Sequence, residues 1–233
     1  MTGRGWTTFG HYGNDIGGFY GGPSAISLDG AGRIYVLGLG VNWTIARIDD
    51  MTGKGWTTFG TFGTGVNQFG GRGSTPASPN PAAGVPPGLY VDRTGRTYVA
   101  DPGNNRIIRM DDMTGAGWMT LGSEGAGVNQ FTHPSGIFVD KAGRIYVADS
   151  GNNRIVRVND MSGAGWATLG GPGRGTNQFS EIQGICVDET GRIYIADMTD
   201  KMFTGRIARI NDITGAGWTT LDTHGVPLGI FVR

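Results

Sequence analysis

Between Pro134 and Trp166 the chain carries three short apolar runs, Gly136–Val139, Arg144–Ala148 and Arg154–Val158, and Trp166 opens a fourth that ends at Leu169. The breaks between them, DKAG, DSGNN and NDMSGAG, consist mostly of Asp, Asn, Ser and Gly. These residues tolerate positive φ or bond their own backbone, so the breaks read as turns. Runs of about five residues rich in Ile, Val and Tyr suit strands and are too short for helices. The unit is a four-stranded antiparallel meander, and it recurs. Its first strand restarts at Ala25, Gly88, Gly136, Gly184 and Gly229, and its second at Gly32, Gly95, Gly143 and Gly191. The third lies at Ile45–Asp49, Arg106–Met110, Arg154–Val158 and Arg206–Ile210, and the Gly-Trp pair opening the fourth falls at Trp6, Trp56, Trp118, Trp166 and Trp218.

From Trp118 to Trp166 is 48 residues, and the other intervals are that length plus insertions. Such a period, with four strands in each unit, predicts an all-β chain folded as a β-propeller of four-stranded antiparallel blades. Residues 1–233 read as one domain with four complete repeats. An orphan fourth strand lies about Trp6 and an orphan first strand at Gly229–Val232, so at most five blade positions are filled. A blade shared by the two ends would lack its two middle strands. The ring is therefore either five-fold with a reduced blade or an incomplete part of a larger propeller. Open blade edges invite pairing, which predicts a homo-oligomer, a dimer first of all. Gly accounts for 45 of 233 residues, and regular strand spacing with 38% hydrophobic residues places those glycines in turns of a folded chain rather than in disorder.

The run GIFVD…GRIYVADSGNNRIVRVND resembles the NHL repeat, whose signature is a GIAVD-like strand, then G-x-IYVAD, then NxRIxxF. The resemblance covers nearly the whole chain. It is strong in the repeats holding Asp101, Asp149 and Asp197 and weaker in the first, where Gly38 replaces the Asp and Val41, Asn42 and Trp43 replace the Asn-Asn-Arg turn. It implies a propeller, usually six-bladed. Relatives include single-stranded RNA binders and lyases or hydrolases with His or a metal at the channel mouth. The Gly-His…Trp-Asp pairs of WD40 repeats are absent.

Three of the linkers that carry the chain from one repeat to the next end in Asn-Gln-Phe (Asn67–Phe69, Asn129–Phe131, Asn177–Phe179), and the phenylalanine is expected to pack between neighbouring blades. The repeated tryptophans are expected to be largely buried there too. Residues Gly71–Pro87, with five prolines, form an inserted surface loop, and Met198–Gly205 lengthens another turn. Antiparallel order puts the linkers and the second-to-third turns on one face of the disc. The DxxGR and NDMTGAG turns lie on the other. Loops converging at the channel mouth make the first face the candidate binding face.

Nineteen basic and nineteen acidic residues cancel, so no overall field draws the chain to nucleic acid or a membrane surface. No apolar run is long enough to span a bilayer, and no signal-peptide pattern opens the chain, which places it in the cytoplasm if Met1 is the native start. The lone Cys186 sits in a strand as a core residue. Asp101, Asp149 and Asp197 could ring a hard cation, but bonds to their own turns and to Arg106, Arg154 and Arg206 explain their recurrence without one. Arg33, Arg96, Arg144 and Arg192 each follow an Asp by four residues, which predicts local ion pairs rather than phosphate contacts. His11, His133 and His224 lie in linkers without metal or triad spacing. The expectation is a non-catalytic scaffold with no metal and no cofactor, binding a protein or small ligand. Its candidate contacts are the residues that vary at the mouth: Ser24, His133, Ser135, Glu181 and Gln183. An enzyme at the channel mouth is the first alternative, and a single-stranded RNA surface is the second.

Overall fold

The computed structural model describes residues 7–13, 16–19, 22–38, 43–70, 87–198, 204–225, 227 and 230. The strand expected about Trp6, the insertion 71–87 apart from Pro87, most of the turn 198–205 and most of the strand at 229–232 lie outside these residues.

Four antiparallel four-stranded sheets form the blades of a four-blade β-propeller. Blade 1 is β1 (Pro23–Leu28), β2 (Ile34–Gly38), β3 (Ile45–Ile48) and β4 (Thr57–Phe59). In the following linker β5 (Thr61–Phe62) and β6 (Gln68–Phe69) pair in parallel. Blade 2 is β7 (Leu89–Val91), β8 (Thr97–Asp101), β9 (Arg106–Met110) and β10 (Met119–Leu121). Blade 3 is β11 (Pro134–Val139), β12 (Ile145–Asp149), β13 (Arg154–Val158) and β14 (Ala167–Gly170). Blade 4 is β15 (Glu181–Val187), β16 (Ile193–Met198), β17 (Gly205–Ile210) and β18 (Thr219–Thr223). Each sheet runs in chain order from the innermost strand outward, as the repeated meander requires.

Sheets this small are stable only through their faces, and the core consists of the three layers between blades. In the layer between blades 2 and 3, Tyr98, Ala100, Ile107 and Leu121 meet Ile137, Val139, Val147, Val156 and Val158. Equivalent residues build the layer between blades 1 and 2 and that between blades 3 and 4. Successive residues of a strand point to opposite faces, so the pattern IYVAD supplies both layers from one strand. The innermost strands β1, β7, β11 and β15 touch in that order, and among the described residues no comparable junction joins β15 back to β1.

Two glycine positions set how closely the innermost strands approach. A Cβ at Gly88 would run into the carbonyl oxygen of Ser135, and one at Gly136 would lie 3.1 Å from the amide nitrogen of Ile185. The linkers turn through a left-handed residue: Asn67, Asn129 and Asn177 have φ of 59°, 56° and 57°. Asn tolerates that region better than most residues. Gln68, Gln130 and Gln178 then close each loop by accepting the amides of Gly65, Gly127 and Gly175 at 2.8–3.0 Å. The linker phenylalanines behave as expected, since Phe69, Phe131 and Phe179 are at most 1% exposed. The tryptophans lie less deep than the phenylalanines: Trp56, Trp118, Trp166 and Trp218 are partly buried just before the outermost strand, and Trp118, Trp166 and Trp218 pack against the clusters between blades.

Candidate functional site

The innermost strands surround a concavity of about 2160 Å³. Ser24, Ser135 and Gln183 line it from the sequence-derived set; His133 and Glu181 do not. Along the innermost strands of blades 2 to 4 the wall is mostly backbone and aliphatic side chain, including Ile137 and Ile185. The lining continues beyond the channel over Ile26, Leu28, Ile34 and Met51 on the open face of blade 1. The opposite mouth is edged by charged residues, Asp29 together with Arg93, Lys141 and Glu189, and the last three were not singled out from the sequence. Lys141 and Glu189 form an exposed ion pair of 2.6 Å between blades 3 and 4. Their common place just after the repeated Asp was the available signal.

The five expected contact residues divide by what their polar atoms already do. The Ser135 hydroxyl is buried and bonds both the Ser150 hydroxyl at 2.6 Å and the Ile182 carbonyl at 2.9 Å, so it joins blade 3 to blade 4. Ser24 donates to the carbonyl of Leu37 at 3.1 Å within blade 1. The amide of Gln183 donates to Glu181 Oε1 at 2.9 Å, which makes these two a unit. His133 adopts φ 47° and its backbone amide donates to Asn105 Oδ1 at 2.9 Å, a place in the linker away from the concavity.

The repeated carboxylates clamp each linker to the blade it enters. Asp149 Oδ1 accepts the amide of Thr132 at 2.7 Å, while Oδ2 accepts Asn152 Nδ2 at 2.8 Å and Arg154 Nε at 2.7 Å. Arg154 passes on to the carbonyls of Ala126 and Gln130 at 2.6 and 3.0 Å and lies over the Trp166 ring. Asp101 with Arg106 and Asp197 with Arg206 repeat the arrangement. Among the described residues no group of three or more His, Cys, Asp or Glu is placed to hold a metal. In blade 1, where Gly38 stands for the Asp, Trp43 takes the left-handed place of Asn105 and Asn153 with φ 42° and packs on Phe62.

Burial pushes the Asp101 carboxyl up to about 6, against the bonds from Asn104 and Arg106 that hold it down, and burial raises Asp149 as well. A carboxylate raised on folding contributes stability that is fully present below the ordinary value of 3.8 and lost as pH rises through about 6. The stability advantage of the native protein over Asp101→Asn is therefore expected to shrink between pH 4 and pH 7. Urea unfolding at both values checks this, and an advantage that grows with pH would refute it. On the opposite face three of the four DxxGR turns hold the expected local pair, Arg33, Arg144 and Arg192 with Asp29, Asp140 and Asp188. Arg96 instead lies 3.7 Å from Asp111 just after β9 and does not pair with Asp92. Asp29 Oδ1 accepts the amides of Ala31 and Arg33 at 2.9 and 3.0 Å, and Oδ2 accepts Arg33 Nε at 2.6 Å and the Tyr35 hydroxyl at 3.2 Å.

A family model described as NHL repeat matches residues 131–158, which run from the linker phenylalanine to the end of β13. A search of curated proteins finds no match. Among solved structures, virginiamycin B lyase from Staphylococcus aureus is 17% identical with a TM-score of 0.53, and the match covers 87% of this chain and 55% of that one. Hydrazine synthase from Kuenenia stuttgartiensis is 15% identical with a TM-score of 0.57, covering 94% of this chain and 53% of that one. A protein of unknown function from Bacteroides caccae is 15% identical with a TM-score of 0.61, covering 89% and 70%. The chain thus spans about half the length of the first two. At these identities the likeness is one of fold. The resemblance drawn from the GIFVD…NNRIVRV run holds: the chain carries an NHL repeat within a β-propeller.

Proposed function

We propose that the protein is a non-catalytic scaffold that binds a small apolar ligand or a protein segment in the concavity bounded by its innermost strands. The observation that carries this reading is the concavity itself, about 2160 Å³ with a mainly aliphatic wall and a few fixed polar groups such as Gln183, whose amide is held in place by Glu181. Pockets of that composition take ligands by burial and orient them by the few polar groups. An enzyme needs a convergent acid or base, and the recurring carboxylates Asp101, Asp149 and Asp197 are committed to the linker clamps. An RNA surface needs arginines free to meet phosphates, whereas Arg106, Arg154 and Arg206 are bound to those carboxylates and to linker carbonyls, and Arg33 and Arg144 to their turn aspartates.

A thermal-shift screen of small apolar compounds and hydrophobic peptides tests the reading. A ligand at 100 times its Kd stabilises by about 2.7 kcal/mol, enough to move the transition by several degrees. Hits are expected to disappear in Pro23→Trp, which places a bulky side chain at an exposed position on the rim. They are expected to survive Lys141→Glu at the opposite mouth. Hits unaffected by Pro23→Trp, or turnover of a bound compound, would count against a scaffold working through this concavity.

A further inference from the structure

We infer that the exposed inner face of blade 1 and the exposed outer face of blade 4 bind each other between two copies of this chain, head to tail, so that two arcs close into one ring. Each internal junction pairs the same two surfaces. The face turned toward the preceding blade carries Leu89 and Val91 in blade 2, Ile137 and Val139 in blade 3, and Ile185 and Val187 in blade 4, all at most 8% exposed. Their counterparts in blade 1, Ile26 and Leu28, are 67% and 57% exposed. The face turned toward the following blade carries Ile45, Ile107 and Ile155, all fully buried. Its counterpart in blade 4, Ile207, is half-buried, and Leu221 is 68% exposed where Leu121 of blade 2 is 8% exposed.

What each open face lacks is what the other supplies. At the internal junctions a linker phenylalanine sits on the tryptophan of the blade it enters and is sealed from behind by the preceding blade. Phe179 lies 5.6 Å from Trp218 and shares a cluster with Tyr146, Ala148 and Ile155 of blade 3. Phe19 stands on Trp56 at 5.6 Å in the same way, and Phe9 meets the same ring at 5.8 Å, yet Phe19 is only half-buried because among the described residues no preceding blade backs it. Blade 4 presents that backing face, with Tyr194, Ile207 and Leu221, and the segment following it carries no Asn-Gln-Phe. Blade 1 of a second copy, with its Phe19, would therefore offer blade 4 the same set that blade 4 and Phe179 offer blade 3. A head-to-tail contact closes when rotation brings the second junction into register, and two four-blade arcs together make eight blade positions, within the roughly four to eight of closed propellers.

Multi-angle light scattering of the full chain at about 50 µM, well above the Kd range of a stable interface, is expected to give twice the chain mass of 24.5 kDa. Ile26→Glu and Leu221→Glu alter exposed side chains, so each is expected to keep the native circular dichroism and run as a monomer. Mixed in equal amounts they are expected to recover a dimer, since one of the two junctions in the mixed pair joins unaltered faces. A monomeric native chain, a dimer in either single variant, or a mixture that stays monomeric would each overturn the assignment. A ladder of higher oligomers would overturn the closed pair.

Discussion

Replacing Asp149 by alanine is expected to lower the unfolding free energy by about 3–5 kcal/mol, the range for removing one partner of a buried, hydrogen-bonded ion pair. The carboxylate is fully buried and binds groups from three places: the linker amide of Thr132, the turn amide of Asn152 and the strand guanidinium of Arg154. Alanine would leave the Thr132 amide and Arg154 Nε without their acceptor, while Asn152 keeps the carbonyl of Gly125, and the side chain of Arg154 is only 14% exposed. The exposed pair Lys141–Glu189 provides the contrast. Both side chains are about two-thirds solvated, and Glu189→Gln is expected to cost less than about 1 kcal/mol. Urea unfolding of the two variants checks both figures. A loss below about 1 kcal/mol for Asp149→Ala would mean that the clamp does not hold linker to blade.

The strands, their meander order and the local turn chemistry were legible because each rests on residues close in sequence. The alternation in IYVAD predicts two buried faces, and the Asp29-to-Arg33 spacing predicts the pair that closes its hairpin at 2.6 Å. The Asp–Arg pairing was readable from the repeat of residue types. That the same carboxylates reach back to the linker was not, since Thr132 and Asp149 are brought together by tertiary folding and a backbone amide leaves no mark in the sequence. The candidate contacts suffered similarly. Variation beside the first strands singled out Ser24, His133, Ser135, Glu181 and Gln183, yet sequence position does not report direction. The linker holds His133 away from the concavity, and Ser135 spends its hydroxyl between blades. The recurrence of tryptophan identified packing but not depth, because a residue at the rim of a sheet recurs as faithfully as one at its centre.

That difference in depth separates two aromatic substitutions that look alike in the sequence. Phe131→Ala is expected to cost about 3–5 kcal/mol, in the upper range for core truncation, and Trp166→Ala distinctly less. The phenylalanine is fully buried and belongs to the cluster that joins Ile107 and Leu121 of blade 2 to Val156 and Val158 of blade 3. Closing the space it leaves would require the two blades to move together. The innermost strands of these two blades are already in close approach at Gly88, and the Asp149–Arg154 clamp fixes the linker that carries Phe131, so neither side is free to move in. A cavity that cannot collapse keeps the full penalty. Trp166 stands 5.3 Å from Phe131 but is half-buried, so its removal opens a groove that water can enter rather than a sealed void. It also forfeits the Arg154 contact at 5.7 Å, an interaction worth about 0.5–1 kcal/mol when exposed. Chemical denaturation of the two variants decides the order: a Trp166→Ala loss equal to or greater than that of Phe131→Ala would show that the tryptophan, not the linker phenylalanine, anchors the blades to each other.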